Sequence, residues 1–113
     1  MSVAKLKSEL WVKAHLRICD LKGFPAVRIR KGDTDAGAIL IKVVKPGEGA
    51  FVLTQTRKPN GEATWMRGTG KEEVDESAAD AYIRRQIERD YDLWVIEVED
   101  RKGLYDPDKI GES

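Results

Sequence analysis

Apolar positions in this chain repeat first with a helical period, then with a strand period, and the most apolar run lies in the strand region. Ala38 to Val44 (AILIKVV) is apolar on both alternating faces apart from Lys42, which predicts a central strand rather than an edge. Just before it, Val27 and Ile29 alternate with Arg28 and Arg30, a short strand with one wet face. Lys31 to Gly37 reads as the turn between them. There Gly32 and Gly37 can take positive φ, and Asp33 and Asp35 can hydrogen-bond their own backbone. The stretch from Ala26 to Val44 is therefore expected to be a hairpin that the remaining elements cover.

Upstream, Val3, Leu6, Leu10, Ala14, Ile18 and Leu21 recur at three- and four-residue spacing, with Trp11 at the edge of the stripe. This predicts a helix over Val3 to Lys22, with Lys22 in its last turn, Gly23 as its C-cap and Pro25 just beyond. Leu10, Val12, Ala14, Leu16 and Ile18 also alternate with period two, but length and stop signals decide for the helix. Val12, Leu16 and Cys19 then form a second stripe, which implies burial on two sides or a subunit contact.

Downstream, Pro46-Gly47 breaks the central run and Ala50 to Thr56 forms a third strand. Pro59-Asn60-Gly61 is a turn, and Ala63 to Arg67 a short fourth strand with Trp65 and Met66. Thr69 and Glu72 have capping-box spacing ahead of a helix over Val74 to Asp90. Its apolar side is Ala79, Tyr82, Ile83 and Ile87, and Asp80 with Arg84 is an i,i+4 pair. Leu93 to Val98 (LWVIEV) is the last strand, returning into the sheet beside a neighbour that pattern alone does not identify. The fold class is α+β, in the order α-β-β-β-β-α-β: a mostly antiparallel sheet covered by two helices. Residues 1–103 form the single domain and 104–113 a frayed tail.

Composition narrows the class. At 113 residues the chain has room for one modest core. Its 41% hydrophobic and 35% charged content excludes disorder of the whole chain. Cys19 is the lone cysteine, so neither an internal disulfide nor a thiolate zinc site can form, which fits a reducing compartment. The N-terminus lacks the apolar core of a signal peptide, and no run nears the ~20 apolar residues that span a bilayer. The expected location is cytoplasmic, away from membranes. Net charge is zero, but Met1–Lys71 holds 14 basic and 6 acidic residues while Glu72–Ser113 holds 6 and 14. Such halves attract each other within a monomer or across a dimer, or leave the basic half to an anionic ligand.

The strings SELWVKAHLR, PAVRIRKGDTDAGAILIKV and DLWVIEVEDRKG resemble the domain of unknown function 1491 family of small bacterial proteins. The likeness runs from about Leu6 to Gly103. It implies a bacterial, cytoplasmic, single-domain protein and carries no assigned activity or catalytic residues.

Four sets of residues can carry chemistry. Asp33 and Asp35 in the turn, with Glu97, Glu99 and Asp100 at the end of the last strand, would hold magnesium or calcium through oxygen ligands if those ends met. With Lys42 near, this resembles metal-dependent nucleases, but Leu40 stands where that motif needs an acid. Arg67-Gly68-Thr69-Gly70-Lys71 looks like a phosphate loop. However, Trp65 and Glu72 occupy the first-glycine and hydroxyl positions, so the motif is absent. Arg28, Arg30, Lys42 and Arg67, interleaved with Trp65, could hold an anion or single-stranded nucleic acid, although zero net charge argues against nucleic acid. His15 and Cys19 share a helix side without a third partner and read as packing.

The leading expectation is therefore a small non-enzymatic cytoplasmic protein of unknown activity that needs no cofactor. It would act by protein–protein interaction, as a homodimer or with another protein. The alternatives are a magnesium-type metal enzyme at Asp33, Asp35, Glu97 and Glu99, and a binder of anions or single strands at Arg28, Arg30, Lys42 and Arg67.

Overall fold

A computed structural model describes residues 6–111. The elements are α1 (Ser8–Lys22), β1 (Ala26–Arg30), β2 (Ile39–Lys45), β3 (Gly49–Arg57), β4 (Ala63–Arg67), α2 (Glu76–Arg89) and β5 (Trp94–Glu99). The predicted start of the first helix at Val3 lies outside the described residues. The five strands form one mixed sheet in the order β1-β5-β2-β3-β4. Only the β2–β5 contact is parallel.

The run ILIKVV occupies the centre of that sheet, with Ile41 and Val43 fully buried. The expected hairpin does not form. β5 inserts between β1 and β2, pairing antiparallel with the first and parallel with the second. The physical reason lies in the Trp94–Val98 segment, in which Trp94, Val95, Ile96 and Val98 are all at most 1% exposed. A strand that apolar on both faces gains most from an interior place in the sheet. The polar-faced β1 is left at the edge.

One helix covers each face. Beneath α1, Val12 and Cys19 pack on Ile39, Ile41, Val43, Phe51, Leu53, Trp94, Ile96 and Val98. Beneath α2, Ala79 and Ile83 pack on Leu40, Ala50, Val52, Leu93 and Val95. Three residues of the C-terminal segment contact the rest of the chain. Leu104 and Tyr105 donate backbone N–H to the buried Asp100 carboxylate, both at 3.0 Å, and Ile110 closes the α1-side core.

Three local expectations are corrected. Gly32 and Gly37 do not take positive φ. They are small because a Cβ on either would run into the Asp92 carbonyl. Thr69 does not cap α2, whose N-cap is Asp75; its Oγ1 accepts the Val52 N–H at 3.2 Å instead. Asp80 pairs with Lys42 across to the sheet rather than with Arg84.

Candidate interaction surface and ligand cleft

The β1–β2 loop is a structural clamp. Asp33 Oδ2 accepts the N–H groups of Asp35 at 3.2 Å and Ala36 at 2.8 Å, while its carbonyl accepts Trp94 Nε1 at 2.7 Å. The carbonyls of Asp35 and Thr34 accept the N–H groups of Ser8 and Glu9, at 3.2 and 3.0 Å. Those donors have no partner inside α1, so the loop completes the helix start. Asp33 N–H in turn donates to the Asp92 carbonyl at 3.0 Å, which fixes the loop beside the chain entering β5.

That placement separates the carboxylates. Glu97 lies three strand residues beyond Trp94, roughly 10 Å at the usual rise, and Glu99 lies farther still. Glu97 faces Lys42 Nζ at 3.4 Å, and Glu99 accepts Arg101 Nε at 2.9 Å. Asp33 and Asp35 are therefore not brought to Glu97 and Glu99. Among the described residues, no group of three or more His, Cys, Asp or Glu side chains is placed to hold a metal ion.

The four cations are also dispersed. Lys42 is buried on the α2 face, with Nζ 2.9 Å from both Glu76 and Asp80 and 3.4 Å from Glu97. Burial alone would lower its pKa, but the hydrogen bonds it donates to Asp80 and Glu76 and the field of Asp80 and Glu97 outweigh that, and the ammonium is held charged. Arg30 Nη1 donates to the Tyr91 and Leu93 carbonyls, both at 2.9 Å, tying edge strand β1 to the approach to β5. Arg67 lies 3.7 Å over the Phe51 ring and donates to the Lys71 carbonyl at 2.8 Å. Arg28 stands on β1, opposite Ile96. Arg67 is on β4, at the other edge of the sheet. No common anion site is assembled. Part of the charge imbalance is instead met inside the chain, where Lys42, Lys45 and Arg67 pair with Glu73, Glu76, Asp80 and Glu97.

What pattern reading missed is an aromatic cluster on the α1 face. Trp11 stacks on His15 with centroids 4.4 Å apart and planes at 11°, and Trp65 of β4 lies 5.7 Å from Trp11. His15 Nε2 and the Tyr105 hydroxyl share a 2.6 Å hydrogen bond whose direction follows the imidazole tautomer. Burial lowers the His15 pKa to about 4, so the ring is neutral at physiological pH. Burial, and secondarily Cys19 and the carboxylates of Asp106, Asp100 and Asp108, raise that of Tyr105. Burial also pushes the Cys19 thiol up to about 11, which makes it inert packing. The Trp11–His15 spacing of four residues was the one signal available for this cluster.

Beside the cluster a cleft of about 520 Å³ opens between the start of α1, the β1–β2 loop, β3, β4 and the C-terminal segment. Trp11 and Trp65 form its aromatic wall, Gln55 and Thr64 line its sheet side, and Asp35 and Asp108 bring carboxylates. Gln55 Oε1 accepts the Ile39 N–H at 3.1 Å, which holds that side chain in place. Such a volume, mixing aromatic wall and a few polar groups, is that of a small-molecule site.

The outer face of α1 is the second feature. Leu10 and Leu21 are 53% and 68% exposed, with Ala14 exposed between them, on the side of the helix opposite Val12 and Cys19. Of the stripe expected to be core, Leu6, Leu10, Ala14 and Leu21 are thus exposed while Ile18 packs inward, and the second stripe is the more buried one. Leu16 and Ile18 are half-buried at its margins.

Comparison with known proteins agrees with this architecture. Residues 6–105 match the model of a family described as proteins of unknown function, DUF1491. A DUF1491 family protein from Caulobacter crescentus CB15, solved by crystallography and by NMR, is 38% identical to this chain. The crystal structure superposes with a TM-score of 0.77 over 91% of this chain and 92% of that one. Protein Atu0922 from A. tumefaciens, at 24% identity and a TM-score of 0.74, shares the fold over 88% of this chain and 89% of its own. No curated protein matches. Among the described residues no helix is long and apolar enough to cross a membrane. With the family pattern extending from Leu6 to Tyr105, the chain belongs to the DUF1491 family of proteins of unknown function.

Proposed function

We propose that this protein is a non-enzymatic binding protein of the bacterial cytoplasm that works by protein–protein contact, as a homodimer formed through the outer face of α1. The observation that carries this reading is the aligned exposure of Leu10, Ala14 and Leu21 on a helix whose opposite side is already buried. Burying a leucine is worth about 1.5–3 kcal/mol, and the monomer leaves two of them in water. Helix against helix about a two-fold axis places the same stripe on both partners, so one apolar line satisfies both subunits. The internal pairing of Lys42, Lys45 and Arg67 favours an apolar contact over one driven by the charge imbalance. A bacterial source fits the organisms of the relatives, and a reducing interior fits the free, buried Cys19. Light scattering after size exclusion is expected to show a concentration-dependent dimer that salt does not dissociate. A monomer at every concentration would sink the reading.

A further inference from the structure

We propose that the cleft between Trp11 and Trp65 is a binding site for a small alkylated ammonium cation. Three independent features of the cleft converge on that chemistry. Two indole rings stand side by side, 5.7 Å apart and tilted by 39°, and both are only partly buried, so ring surface is open to the cleft. Indole is the strongest of the side-chain π-faces for a cation, and methylated ammonium groups, poorly hydrated, are the cations that gain most from it. Two carboxylates, Asp35 and Asp108, line the same space, and among the described residues lining it there is no lysine or arginine. A ligand entering there meets a negative potential with an aromatic wall.

The surrounding structure holds these groups still. Trp11 is backed by His15 at 4.4 Å, which is itself anchored on Tyr105 at 2.6 Å. The Asp35 loop is fixed by Ser8 Oγ, which donates to the Gly37 carbonyl at 2.6 Å. Asp35 carries one competing partner, Lys7 at 3.7 Å, but both side chains are about two-thirds exposed or more, and such a pair contributes little. The volume of about 520 Å³ accepts a choline-sized molecule. This inference does not depend on the dimer: the cleft is built from the loop, β3, β4 and the start of α1, not from the outer helix face.

The test uses choline as probe and 3,3-dimethylbutan-1-ol, its uncharged isostere, as control, with the three indole N–H signals followed by NMR. Choline is expected to shift the Trp11 and Trp65 signals saturably and leave that of Trp94, whose Nε1 is bonded to the Asp33 carbonyl, in place. The isostere should bind about tenfold more weakly, the fold-change a partly desolvated cation–π contact gives. Trp65→Ala should abolish the shifts. Because that change also touches the core, Asp108→Asn, at an exposed position, serves as the second variant and should weaken choline about threefold. Equal binding of choline and isostere, shifts that do not saturate, or an Asp108→Asn variant identical to wild type would each overturn the proposal.

Discussion

The two helices cover opposite faces of one sheet, yet they stand in opposite relation to their own sequence patterns. In α2 the stripe of highest apolar content, Ala79, Tyr82, Ile83 and Ile87, is the stripe that packs on the sheet. In α1 Leu10, Ala14 and Leu21 of the corresponding stripe face water, and the buried side is made of Ser8, Val12, His15 and Cys19. The difference follows from what each helix covers. The α2 face offers aliphatic strand residues and one lysine, and α2 answers with aliphatic residues plus Glu76 and Asp80. The α1 face must also admit the C-terminal segment with Tyr105 and Ile110, so α1 supplies small residues and a hydrogen-bonding ring. A helix that is apolar on the side it does not need for folding has that side available for something else.

The largest effect that can test this contrast lies beneath α2. Lys42→Met keeps the volume of the side chain but leaves Glu76, Asp80 and Glu97 facing one another without a counter-charge. Removing one member of a buried ion pair costs about 3–5 kcal/mol. The three carboxylates keep 57%, 47% and 35% of their surface, so about 3 kcal/mol is expected in a denaturant titration. The raised Lys42 pKa means this contribution is complete below the free-lysine value and is lost only as pH rises through the folded one, in strong alkali. A loss below 1 kcal/mol would show that the lysine is merely tolerated.

The α1 side is expected to respond to acid instead. His15 falls from an ordinary 6.5 to about 4 because its buried ring resists charging. Between those values the unfolded chain binds a proton that the folded chain refuses, so stability declines as pH drops and levels off below about 4. Each pH unit between the two values corresponds to at most about 1.4 kcal/mol of that decline. His15→Gln, which cannot titrate, should flatten that portion of the stability–pH curve. An unchanged slope would place the acid sensitivity elsewhere.

These contrasts also show what pattern can carry. Every element is legible because the period changes and the breakers are local: Gly23, Pro46-Gly47 and Asn60-Gly61 bound them within a few residues. The place of β5 is not, because its apolarity is compatible with any interior position, and only competition with the polar-faced β1 decides. The glycines of the β1–β2 loop stand out in the sequence for the wrong reason, since close approach to Asp92 depends on a partner about 60 residues away. The cleft is invisible for the same cause. Trp11, Asp35, Gln55, Trp65 and Asp108 come from five segments, and no spacing links them.

The smallest expected effect is the one that bears most directly on the outer face of α1. Replacing both Leu10 and Leu21 with Glu should change monomer stability by no more than about 0.5 kcal/mol, the usual range for surface positions. Val12→Ala, on the same helix but facing the sheet, removes two buried methyl groups at about 0.8 kcal/mol each, before any cavity cost. The helix itself should survive the double change, since glutamate is a good helix former. If the leucines serve folding, the double variant will lose stability comparable to Val12→Ala. If they serve a partner, stability measured at low concentration will be unchanged while self-association disappears. Measuring both quantities on the same two proteins separates an interface from a core stripe, which neither exposure nor apolarity can do alone.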